Sequence, residues 1–143
     1  YEGQAAVRLE NLVRPDIKRW YTFDLATESF PAQLSFGSTL GGIIADLDKG
    51  IELTVISTKF HNTVSAAVVA VCEHLRQQRG IHTVALSGGV FQNAFLLRQV
   101  CAGLRSKEFA VFCHHLVPPN DGGLSLGQAA VALAQYNRET DKN

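Results

Sequence analysis

Residues 80–114 read as strand, glycine turn, helix and strand, and this order constrains the fold more than any other stretch of the chain. Residues 82–86 are β-rich and run into Ser87-Gly88-Gly89; residues 93–105 then carry apolar side chains at helical spacing, and 110–114 return to a strand pattern. Two strands joined through a helix lie parallel with a right-handed crossover, because the helix must pack back across the sheet it leaves. The expectation is therefore an α/β fold, helix-rich, with a small and mostly parallel sheet. The glycine turn would sit at the carboxyl end of a strand, where ligands bind in such sheets. Charge is sparse here: residues 80–97 carry no formally charged side chain and residues 109–136 only Asp121. Stretches so lean in charge are either core or a site that works through backbone dipoles.

The flanking segments read mostly as helices. Residues 3–13 place Ala5, Ala6, Leu9, Leu12 and Val13 on one stripe, stopped by Pro15. Residues 20–25 and 33–36 suggest short strands around a turn at 27–31, the first of them either a strand or irregular. A helix over 40–47 closes at Lys49-Gly50, and 52 or 53 to 79 is one long helix, or two joined near Lys59, closed by Gly80. After the loop Pro118-Pro119-Asn120-Asp121-Gly122-Gly123, an Ala-rich helix covers 124–136, and the polar tail should fray. No repeat or linker divides the chain, so residues 1–137 form one domain, with 138–143 as the tail.

Composition narrows the partners. The 143 residues hold 13 Lys+Arg against 13 Asp+Glu, a formal charge of zero. Such a balance leaves no electrostatic footprint for nucleic acid or an anionic membrane, both of which reward clustered Lys and Arg. Uninterrupted apolar runs fall short of the roughly 20 residues of a membrane helix. The opening residues lack the order of a signal peptide. A soluble, cytoplasmic chain is expected, with Cys72, Cys101 and Cys113 as buried reduced thiols. With no Met and a first residue in mid-pattern, the sequence reads as a piece of a longer protein.

Two loops hold the candidate site residues. Gly88 and Gly89 would let backbone N–H groups approach a phosphate, with the following helix presenting its positive end; the plain alternative is a tight packing turn. No Lys or Arg lies in this loop, so it is not a Walker P-loop, and charge neutralisation would need a metal ion. Asn93 is either a helix N-cap or an amide facing a ribose or base. Asp121 is either an N-cap or a carboxylate metal ligand beside nucleotide phosphates. His114 and His115 adjoin on a strand end, so at most one faces the site. His61, His74 and His82 show no metal spacing, and His61 reads as a polar position on a packed helix. No Ser-His-Asp or Cys-His pattern is defensible from chain order.

The ordered set Tyr1-Glu2-Gly3-Gln4-Ala5-Ala6, Phe60-His61-Asn62-Thr63, Leu86-Ser87-Gly88-Gly89-Val90-Phe91-Gln92-Asn93 and residues 116–129 resembles the C-terminal part of the HypF family, the carbamoyltransferases of nickel-iron hydrogenase maturation. The resemblance spans nearly the whole chain. It implies one lobe of the actin-like, sugar-kinase-like ATPase fold, in the Kae1-like or TsaD-like branch. It also implies the family's activity, ATP-dependent carbamoyl transfer. Carbamoyl phosphate and ATP give a carbamoyl adenylate, and the carbamoyl group passes to the C-terminal cysteine of the partner HypE, later to become a cyanide ligand of the hydrogenase iron.

By matching position, Gly88 and Gly89 would contact phosphates, Asn93 and Gly3 the nucleoside, Gly122 the nucleotide, and Asp121 a divalent metal, Mg or a transition metal. Asp121 would also be the catalytic residue. Zinc belongs to family modules upstream of this region, as do the acylphosphatase-like and YrdC-like domains. The family's His-rich metal motif lies in the preceding half-domain, so Asp121 alone would hold a metal weakly and the chain alone should not turn over. Two other readings remain open at this point: a relative of the tRNA threonylcarbamoyltransferases, and a non-catalytic interaction half-domain.

Overall fold

The computed structural model describes residues 3–28 and 31–140. Tyr1 and Glu2 of the opening motif, Ser29 and Phe30 of the expected turn, and residues 141–143 of the tail lie outside them. Along the chain run α1 (Gln4–Asn11), β1 (Asp24–Ala26), β2 (Gln33–Ser35), α2 (Gly37–Asp48), α3 (Leu53–Arg79), β3 (Thr83–Leu86), α4 (Ala94–Ser106), β4 (Ala110–Cys113) and α5 (Leu124–Thr140). Short 3-10 turns at Gly89–Gln92 and Asp121–Gly123 occupy the two loops. The chain forms two compact units: Tyr1–Val84 with Asn93–Val111, and Ala85–Gln92 with Phe112–Asn143.

In the first unit α3 is one uninterrupted helix of 27 residues, which settles the alternative of two helices joined near Lys59. No Pro or Gly interrupts it, and Gly80 ends it in the left-handed conformation at φ 66°, donating to the Arg76 carbonyl at 2.8 Å. It packs against α4, α2 and α1. Ile56 and Ala67 are buried on it, facing a core that includes Phe95, Leu96, Val100 and Leu104 of α4. Gly103 allows the close approach: a Cβ there would lie 2.8 Å from Val69 Cγ2. By length and composition α3 could also span a bilayer, the one helix among the described residues that could.

Much of what α3 buries is polar. Ser57, Thr58, His61, Thr63 and Ser65 are all buried, and several of these side chains hold an irregular segment. Thr58 Oγ1 accepts from the Arg14 N–H at 2.8 Å and donates to the Thr54 carbonyl at 2.7 Å. Thr63 Oγ1 accepts from the Tyr21 N–H at 2.8 Å and donates to the Lys59 carbonyl at 2.7 Å. Asn62 Nδ2 donates to the Ile17 and Arg19 carbonyls, both at 3.0 Å. Buried backbone groups must find partners, and here helix side chains supply them in place of a sheet ladder. That decides residues 20–23 for the irregular alternative and confines the strand to Asp24–Ala26: the Tyr21 N–H is committed to Thr63, and pairing begins only at Asp24, where β1 meets β2 antiparallel with Leu25 opposite Leu34.

Strands β3 and β4 form the second sheet, a parallel pair, with the Ala110 N–H donating to the His82 carbonyl at 2.9 Å. Cys101 is buried as expected, whereas Cys72 and Cys113 are half-buried. Burial pushes the Cys72 thiol up from its ordinary value. α5 continues to Thr140, past the expected end at 136, with Thr140 Oγ1 donating at 3.0 Å to the Tyr136 and Asn137 carbonyls.

Candidate functional site

The second unit builds a cleft of about 600 Å³ from its two loops and α5, within the 300–1,000 Å³ typical of small-molecule sites. Ser87, Gly88, His114, Pro119, Asn120 and Asp121 line one side. Leu124, Gly127, Gln128, Val131, Ala132 and Gln135 line the other. Steps of three and one place these six on a single helical face. Among the described residues, the only titratable side chains in the lining are His114 and Asp121, with no Lys or Arg.

Local chemistry explains each loop. Gly88 takes φ 105°, a conformation that L side chains rarely adopt. Its N–H donates to the Pro119 carbonyl at 2.7 Å, joining the first loop to the second. In the second loop Asn120 caps the 3-10 turn: its Oδ1 accepts from the Gly122 N–H at 3.1 Å, and its carbonyl from the Gly123 N–H at 3.0 Å. A Cβ on Gly123 would stand 2.9 Å from the Pro118 carbonyl oxygen, so the loop closes only around glycine. Asp121 follows the cap as the first residue of the turn, with its side chain exposed.

The structure thus brings Gly88 and Asp121 into one cleft. Gly89 and Gly122 belong to the same loops: a Cβ on Gly89 would lie 3.9 Å from Asn120 Cβ, and Gly122 is packed under Asn120 Oδ1 and Pro118 Cγ, each 3.1 Å from its own would-be Cβ. Asn93 and Gly3 belong to the first unit. Gly3 caps α1 at φ 75°, its carbonyl accepting from the Val7 N–H at 3.0 Å.

Asn93 caps α4 through Oδ1, which accepts from the Leu96 N–H at 2.8 Å, while its Nδ2 lies 2.9 Å from His61 Nε2. Glu10 Oε1 accepts from the Ala94 N–H at 2.8 Å, adding a carboxylate at the positive end of that helix. Neither Glu10 as a partner of the α4 N-terminus nor His61 as a partner of Asn93 was identifiable from chain order. Of the two histidines at the end of β4, His114 alone lines the cleft, as side-chain alternation predicts. Its Nε2 lies 2.9 Å from Ser87 Oγ, a pairing that sequence reasoning missed. The available signal was positional: each residue is the first beyond the end of one of two neighbouring strands.

Metal chemistry can be tested on the donor set. Among the described residues no group of three His, Cys, Asp or Glu side chains is placed to hold an ion. The described residues of this chain therefore do not by themselves form a cage for a metal. A hard cation that brings its own oxygen ligands fits, because Mg²⁺ is commonly held by one or two carboxylates plus substrate phosphates.

Comparison with known proteins agrees with this architecture. Residues 1–128 match the family model described as carbamoyltransferase, Kae1-like domain, second subdomain. The chain is 32% identical over 139 residues to carbamoyltransferase HypF of Synechocystis sp., covering 95% of this chain and 17% of that protein. It is 33% identical over 138 residues to carbamoyltransferase HypF of Rhizobium leguminosarum bv. viciae, again 17% of that protein's length. A crystal structure of full-length HypF in the phosphate- and nucleotide-bound form superposes with a TM-score of 0.87 at 39% identity, over 92% of this chain and 17% of that one. The chain spans less than a fifth of these relatives, and within that span it belongs to the HypF carbamoyltransferase family, with the fold of the second subdomain of its Kae1-like domain.

Proposed function

We propose that this chain supplies nucleotide- and metal-binding loops to a HypF-type carbamoyltransferase. Such an enzyme uses carbamoyl phosphate and ATP, by way of carbamoyl adenylate, to carbamoylate the C-terminal cysteine of HypE for synthesis of the cyanide ligands of nickel-iron hydrogenase. One observation carries the proposal: a single cleft joins Ser87-Gly88 to Asn120-Asp121, and the Gly88–Pro119 hydrogen bond fixes the two loops together. The similar HypF crystallised with phosphate and nucleotide supports it.

In this reading Gly88 and Gly89 keep side chains out of the ligand's approach, and Gly122 holds the turn that presents Asp121. The Asp121 carboxylate serves a divalent cation carried in by the nucleotide phosphates, which supplies the positive charge that the lining lacks. The α5 face offers Leu124, Val131 and Ala132 as apolar surface for the rest of the ligand. In the transfer step the acceptor sulfur bonds to the carbamoyl carbon, the carbon–oxygen bond to AMP breaks, and the thiol proton departs. The products are a thiocarbamate and AMP.

Asp121→Asn in the intact enzyme should abolish carbamoyl transfer to HypE while leaving the circular dichroism spectrum unchanged. Transfer at the wild-type rate would sink the assignment. A purely structural reading of the loops has one observation in its favour, since the Gly88 and Gly122 N–H groups are both bonded within the loops. It predicts that ATP shifts no backbone amide signal of Gly88, Gly89 or Asp121, whereas the nucleotide reading requires such shifts.

A further inference from the structure

Three of the four loop glycines have their N–H groups committed within the loops. The N–H groups of Gly88, Gly122 and Gly123 are bonded to the Pro119 carbonyl, Asn120 Oδ1 and the Asn120 carbonyl, and among the described residues no Lys or Arg lines the cleft. Besides the amides of Asn120, Gln128 and Gln135, the side chains in the cleft that can donate are Ser87 and His114, which are held together at 2.9 Å between Oγ and Nε2 at the first loop. Fold topology produces this pair. Strands β3 and β4 are neighbours in one sheet, β3 ends at Leu86 and β4 at Cys113, so Ser87 and His114 are each the first residue beyond a strand end.

We propose that the Ser87–His114 pair is the side-chain grip on the phosphate of a bound nucleotide, with His114 acting as the positioning residue for Ser87. A hydroxyl has one hydrogen and two lone pairs. When the imidazole donates its Nε2 hydrogen to Ser87 Oγ, the hydroxyl hydrogen is released toward the ligand. Without His114 the hydroxyl rotates among competing acceptors and the donation is not held in one direction. The inference rests on the nucleotide reading above and adds to it the group that orients the anion's donor, a task that the N–H groups of Gly88, Gly122 and Gly123, already bonded, cannot perform.

Calorimetric titration of the full chain with Mg-ATP, inorganic phosphate and adenosine tests this. Ser87→Ala and His114→Ala should each weaken ATP and phosphate about 3- to 10-fold, the range for one neutral hydrogen bond, and leave adenosine within about 2-fold. The double variant should bind no more weakly than either single one, because the pair acts as a unit. His114→Gln, whose amide can still donate to Ser87, should recover most of the phosphate affinity, while His114→Phe should not. The inference is overturned if His114→Ala binds ATP like the wild type, if adenosine is lost equally, or if the two single losses add. A wild-type chain that binds none of the three ligands overturns the nucleotide reading itself, and this inference with it.

Discussion

His61 is held in one tautomer by its neighbours. Its Nδ1 lies 2.8 Å from the Ser57 carbonyl, which can only accept, so the hydrogen is on Nδ1 and the bare Nε2 accepts from Asn93 Nδ2. That in turn aims Asn93 Oδ1 at the Leu96 N–H. Asn93→Ala removes the cap of α4 and leaves a nitrogen of the buried His61 unpaired. The expected loss is about 2 kcal/mol, measured by chemical denaturation. An N-cap at Asn93 was legible in the sequence, because Asn preceding an apolar-periodic run is a local signal. Its partner was not: His61 lies on another helix, and nothing within a window around either residue links them. The same holds for Ser87 and His114, whose meeting depends on strand order.

Among the elements, the helices were read most nearly as they are, since long apolar stripes with glycine or proline stops persist whatever surrounds them. The strands were read less well. Residues 20–23 carry the aromatic and β-branched side chains of a strand, yet the Thr63 hydroxyl of α3 takes the Tyr21 backbone donor that a ladder would use. The same junction ties α2 to α3. Asp46 Oδ2 accepts from Lys59 Nζ at 2.5 Å and from the Tyr21 hydroxyl at 2.9 Å, with the ammonium 3.9 Å from the centre of the Tyr21 ring. The Lys59 hydrogen bond, helped by that from Tyr21, holds the Asp46 carboxyl below its ordinary value of 3.8, and burial with the Asp46 contact pushes the Tyr21 phenol up.

A carboxyl with a folded pKa below its unfolded one stabilises the fold fully above the unfolded value and loses that contribution as pH falls through the folded value. Asp46→Asn should therefore cost about 1 kcal/mol at neutral pH, the scale of a charge-assisted hydrogen bond at a part-buried site. Thermal melts of the two proteins should converge as the pH is lowered below about 4. Equal melting temperatures at pH 7 would show that Asp46 contributes nothing to the junction.

Across the whole molecule, burial is unequal. The first unit holds nearly the whole buried core, whereas Leu86 is the one buried residue of the second among those described, and the described side chains of α5 are largely exposed. Regions with few buried contacts open locally at low free energy. Hydrogen exchange should accordingly find the amides of α5 exchanging well before those of the middle of α3, and equal protection would contradict this. Sequence patterning could not foresee that inequality. α5 has the Ala-rich composition of a good helix former, and propensity alone does not reveal which helices are covered.

The second unit is also discontinuous along the chain. Residues 85–92 and 112–140 build one cleft, while residues 93–111 between them belong elsewhere. Heredity and protein engineering meet the same restriction: no exon, fusion partner or trimmed gene can carry this cleft as a short cassette. Any cut between the two loops separates Gly88 from Pro119 and leaves neither side with a site, so recombination must move the whole span or none of it.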